Sequence, residues 1–147
     1  MQNLVVTIYN RTRTKVPLKP FEELLAPATK ILLREKKLRK DEQLKFELSL
    51  IGDTAMQTLN KTVHYKDRPT DVVSLSYYEE HSGDNFVGEI FIALPYARRQ
   101  AKKIGQSLKE ELRFLFVHGL LHIFGYDHME PKQEQVMLAL TYEILER

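Results

Sequence analysis

Phe116 to His128 reads FVHGLLHIFGYDH and holds three of the chain's five histidines. The run leading into it, from Leu108, is dense in Leu and Phe. Ser107 with Glu110 three residues later makes a capping-box start, so the stretch predicts a buried helix that ends at Gly125. On such a helix His118 and His122 are four apart. Their side chains share one face, roughly 5–6 Å apart at Cβ, which lets two imidazoles hold one cation. Gly125 permits a sharp turn, and after Tyr126-Asp127 the chain can bring His128 back as a third nitrogen ligand. A lone histidine in such a setting is usually satisfied by hydrogen bonds in the core. Three imidazoles at one apolar helix end would each need a partner, which favours a ligand set. Three neutral imidazoles with a fourth position left to water describe a catalytic zinc site, one ion per chain, rather than a closed structural one. Nickel, cobalt or iron are the alternative metals.

Working outward, Pro131 opens a last helix with Val136, Leu140 and Ile144 on one side. Upstream, Pro95 to Ile104 is a helix stopped by Gly105. Leu4–Tyr9 and Lys45–Ile51 read as strands, the second with one face covered. Asp71–Ser76 and Phe86–Ala93 read as two more, joined as a hairpin with a long connection. Apolar residues at three- and four-residue intervals predict one amphipathic helix over about Lys19–Lys37. Asp53 caps a short helix through about Leu59, followed by an ordered loop from Asn60 to Pro69. The expected fold is α/β (α+β mixed): a single domain over 1–147, with one four-stranded sheet packed by helices and a metal cleft at the end of the buried C-terminal helix.

Composition narrows the chemistry. At 147 residues, 43% hydrophobic and 29% charged, the chain should fold around its own core. With no cysteine, thiolate catalysis, iron–sulfur clusters and Cys-based zinc sites are excluded. No secretory leader pattern and no run of about 18 apolar residues occurs, so the expected location is cytoplasmic, with no membrane partner. A net charge of +2 means that any nucleic acid must be met by a local patch. Arg98 with Lys102 and Arg99 with Lys103 are i,i+4 pairs that give one helix a cationic face without internal neutralisation, a candidate RNA-binding surface. Arg34, Lys36, Lys37, Arg39 and Lys40 form another cluster, and Arg11, Arg13 and Lys15 a third. Each also reads as a solvated helix end or loop.

The histidine stretch, together with Leu59-Asn60, Lys66 to Ser74 (KDRPTDVVS) and Gly88 to Ile92 (GEIFI), resembles the YbeY family of bacterial rRNA maturation factors, over about Leu44 to His128. The resemblance implies a zinc-dependent, single-strand-specific endoribonuclease with His118, His122 and His128 as zinc ligands. It implies action in 16S rRNA 3′-end processing and ribosome quality control, on ribosomal RNA and the ribosome or its 30S precursor, with ribosomal-protein or GTPase partners. One position departs from the family: His64 stands where Arg is usual. An Arg there would clamp a phosphate bidentately, whereas His64 can donate one hydrogen bond, act as an acid or base, or approach the metal. It reads equally as an exposed loop histidine.

In the mechanism these residues suggest, zinc lowers the pKa of its water to about 7, and Lys66 offsets charge on the phosphate. Asp71 and Asp127 orient water or the ligand imidazoles. Asp71 can equally cap a strand or turn, and Asp127 can simply stabilise the turn before His128. The rivals are a zinc-dependent peptidase or hydrolase and a non-catalytic, zinc-stabilised ribosome assembly factor. Metzincin proteases share the histidine spacing, but they carry Glu after the first His as general base, where this chain has Gly119.

Overall fold

The computed structural model describes residues 2–63, 72–80 and 84–146. Its elements in chain order are β1 (Leu4–Asn10), α1 (Lys19–Glu22), α2 (Leu25–Arg34), β2 (Leu44–Ile51), α3 (Asp53–Val63), β3 (Val72–Ser76), a short 3-10 turn (Tyr78–Glu80), β4 (Phe86–Ala93), α4 (Leu94–Ile104), α5 (Leu108–Ile123) and α6 (Pro131–Leu145). The four strands form one mixed sheet in the order β1-β2-β4-β3. β1 pairs parallel with β2 and β2 with β4, while β3 returns antiparallel to β4, so Val73 lies opposite Phe91. This is the α/β arrangement expected, including the hairpin with a long connection.

Side chains alternate across a strand, so β4 serves two cores. Ile90 and Ile92 enter the larger one, with residues of β1, β2, α1, α2, α5 and α6. Ala93, with Phe91 packed alongside, joins a smaller cluster of Ile51, Met56 and Val73, which α3 helps to cover. α5 runs through the larger core, and Phe116 lies at its centre, 5.3 Å from the ring of Phe21 and 5.9 Å from that of Phe46. No helix among the described residues is long and apolar enough to cross a membrane.

Four local expectations are corrected. The single helix over Lys19–Lys37 is two, α1 and α2, and the chain turns at Glu23-Leu24 so that Phe21, Leu24 and Ala28 all reach the core. β2 is covered on both faces in its second half, where Leu48, Ser49, Leu50 and Ile51 are all buried, because Leu48 and Leu50 enter the larger core on one face and Ile51 joins Met56 of α3 on the other. α3 runs on to Val63, taking up the first residues assigned to a loop; the rest of that loop lies outside the described residues. On α6 the buried stripe is Met137, Leu140, Thr141 and Ile144, while Val136 is 50% exposed. Helical spacing alone allows either Val136 or Met137 to accompany Leu140, and the direction of packing against α5 selects Met137.

Phe116→Ala should cost about 3–5 kcal/mol, the range for deleting a buried aromatic ring. Urea unfolding followed by circular dichroism measures it directly.

Candidate metal centre

α5 begins at the predicted capping box: the Glu110 backbone N–H donates to Ser107 Oγ at 3.1 Å, and the Ser107 N–H donates to Glu110 Oε1 at 3.0 Å. Hydrogen bonding from the Ser107 backbone N–H and hydroxyl holds the Glu110 carboxyl below its ordinary value. At the other end Gly125 adopts φ 96°, in the left-handed region. The Gly125 N–H donates to the His122 carbonyl at 3.0 Å, and the Tyr126 N–H to the Leu121 carbonyl at 3.1 Å. That pair of bonds is the Schellman ending, and glycine supplies its left-handed residue at no steric cost. The ending fixes where the chain leaves the helix, and therefore where His128 arrives.

Between these ends α5 is buried along most of its surface, whereas Phe114, His118 and His122, spaced four apart, are only partly covered. The stripe left open is the one that carries the histidines. The imidazole centroids are 5.0 Å apart for His118 and His122, 4.9 Å for His122 and His128, and 5.7 Å for His118 and His128. One nitrogen from each ring lies within 4.8 Å of the other two. Nδ1 of His118 and Nε2 of His122 are shut off from solvent. An all-imidazole donor set converging on one point fits a borderline divalent cation such as zinc.

The remaining predicted residues fall differently. Asp127 is exposed, and its Oδ1 accepts from the His128 backbone N–H at 2.7 Å, so its carboxylate steadies the turn that presents His128. Arg98, Arg99, Lys102 and Lys103 are all exposed on α4. The face is not free of neutralisation, however. Arg99 pairs with Asp53 at the start of α3, 3.0 Å away, and its guanidinium lies over the Tyr96 ring at 5.6 Å. Sequence spacing within α4 could not show a carboxylate contributed by another helix. His64, Lys66 and Asp71 lie outside the described residues.

Gly119 acquires a physical reason. A Cβ there would sit 2.9 Å from Ile90 Cγ2 and 2.9 Å from Ser74 Oγ, so α5 rests directly on β3 and β4 at this point. A metzincin-type Glu at position 119 would meet the sheet before it could reach the histidines.

Three contributors escaped the sequence reading. Phe114 stacks on His118, with centroids 5.6 Å apart and planes 17° apart. Its position four residues before His118 was a visible signal. Ser76 Oγ donates to the Ile123 carbonyl at 2.6 Å, tying the last turn of α5 to β3. Glu111, only 4% exposed, accepts from Gln106 Nε2 at 2.6 Å. Neither of these contacts has a signature in sequence spacing.

A mixed sheet that seats a histidine-bearing helix, with a third histidine returned by a glycine turn, defines an α/β protein with a histidine cluster that could hold a metal ion. The family model for Endoribonuclease YbeY matches residues 7–147, and the chain belongs to that family. Endoribonuclease YbeY of Ureaplasma urealyticum is 38% identical over 109 residues, covering 74% of this chain and 70% of that protein. Its counterpart in Aster yellows witches'-broom phytoplasma is 35% identical over 148 residues, covering 98% and 94%. The solution structure of TM1509 from Thermotoga maritima shares the fold, with a TM-score of 0.61 at 20% identity over 97% of this chain and 90% of that one.

Gly119→Glu should lower the melting temperature by about 5 °C or more, because overpacking is joined by a carboxylate forced against the sheet. The variant should gain no activity on casein; differential scanning calorimetry and a casein digest check the two outcomes.

Proposed function

We propose that this chain is a metal-dependent endoribonuclease that cuts single-stranded RNA, with one zinc ion per chain held by His118, His122 and His128. The observation that carries the reading is the convergence of three imidazole nitrogens within 4.8 Å, on a chain that belongs to the endoribonuclease YbeY family. Bound there, zinc supplies a water acidic enough to ionise near neutral pH and a positive charge for a phosphate oxygen.

The chain's own residues supply position. Phe114 lies flat against His118 and limits rotation of its ring. The Schellman turn and the Asp127 bond to the His128 amide hold the third ring opposite the other two. The exposed cations of α4 provide backbone affinity for the RNA, with Arg98, Lys102 and Lys103 contributing more than Arg99, which is engaged by Asp53. His64 and Lys66 are assigned to the phosphate, and Asp71 to the orientation of water or a ligand ring.

The substrate assigned is ribosomal RNA, near the 3′ end of 16S rRNA. The setting is a 30S precursor in the cytoplasm, in ribosome maturation and quality control, with ribosomal-protein or GTPase partners. Gly119 counts against the peptidase alternative, since the protease base has no room there.

His118→Ala and His122→Ala should each abolish bound zinc, measured by mass spectrometry of the purified protein, and reduce cleavage of a single-stranded 16S 3′-end fragment by at least about a hundredfold. Cleavage that persists after zinc is lost would sink the proposal. One bound zinc in a wild type that never cleaves RNA would turn the reading to an assembly factor.

A further inference from the structure

Two clefts meet at the histidines. One, of about 510 Å³, runs from His118 between α4, α5 and α6; Gln100, Gln106, Glu111, Phe114 and Tyr142 are among the residues that line it. The other, of about 660 Å³, opens between α5 and the first half of α6 and is lined by His128, Met129, Met137 and Leu138. Phe114 and His118 belong to both walls. A strand passing from one cleft to the other therefore crosses the histidine cluster.

The first cleft has the chemistry of a base-binding pocket. Its floor is aromatic: the Tyr142 ring lies 6.1 Å from that of Phe114, at 44°, and Tyr142 is 53% exposed on a helix whose core contacts come from other positions. An exposed tyrosine backed by a second ring offers a π-face on which any base can stack. The far end is polar, where the Gln106 amide donates to the buried Glu111 carboxylate and Arg113 reaches the carbonyl of Leu145 at 3.5 Å. Such donors and acceptors can meet the polar edge of a base. Gln100 and Ile104 of α4 form one wall, and Arg113 and Glu110 of α5 add charge of both signs to the lining.

We infer that this cleft is a nucleobase subsite. Tyr142, backed by Phe114, stacks one base of the RNA strand and sets the neighbouring phosphate at the histidine cluster. The inference rests on the nuclease reading for the identity of the ligand, but its test does not depend on cleavage. The probe is a single-stranded 2′-O-methyl RNA, which resists cleavage, with 2-aminopurine placed at one position at a time. Stacking quenches the fluorescence of that base.

Wild-type protein should quench the probe at a defined position. Tyr142→Ala should remove the quench and weaken binding about tenfold, the scale of one lost base–aromatic stack. Tyr142→Phe should keep both, and all three proteins should retain the same bound metal. Phe114→Leu, which preserves apolar volume, should also reduce the quench. Equal quenching and affinity in wild type and Tyr142→Ala, or quenching at no position in wild type, overturns the subsite. Quenching as expected in a wild type that leaves unmodified RNA uncut upholds the subsite and overturns the nuclease reading instead.

Discussion

The contact between α5 and the sheet governs everything else at the site. Gly119 lies against Ile90 and Ser74, and on the facing strand a Cβ at Gly88 would come within 2.7 Å of the Ile123 side chain. Two glycines, one on the helix and one on β4, thus leave room for the side chains that pack between helix and sheet. With α1, α4 and α6 also packed on it, α5 has one stripe left to offer solvent. His118 and His122 lie on that stripe, and the helix holding them cannot shift without disturbing the core.

A rigid helix fixes two of the three imidazoles, and the third depends on a turn. The bonds from Gly125 and Tyr126 close the helix, and the Tyr126 ring then packs against the core, with Lys37 5.1 Å above it. Burial raises the Tyr126 phenol above its ordinary value. The turn is therefore pinned on both sides, by hydrogen bonds at its start and by an aromatic anchor just before Asp127. Preorganisation of this kind favours metal binding because little conformational entropy remains to be lost when the three rings are brought together.

The electrostatics of the surface complement this arrangement. A chain with a net charge of only +2 cannot attract RNA over its whole surface, so attraction must come from local groups. α4 carries its cations on the same helix whose Gln100 and Ile104 form one wall of the cleft leading to His118. At helical spacing the cations and these two wall residues fall on different faces of that element.

Most of what was legible in the sequence is local. The histidine spacing, the Ser107 and Glu110 cap and the glycine stop are set by interactions between residues a few positions apart, and these act the same way in any helix. The four strands are legible because β-branched runs mark strands wherever they pair, and the family shows in the same motifs. Tertiary structure decided what depends on distant partners. It set Met137 rather than Val136 inward, neutralised Arg99 with Asp53, turned Gly119 onto the sheet and brought Tyr142 of α6 beside Phe114 of α5. Periodicity tells which residues share a face, but the direction that face points is fixed only when elements far apart in the chain pack together.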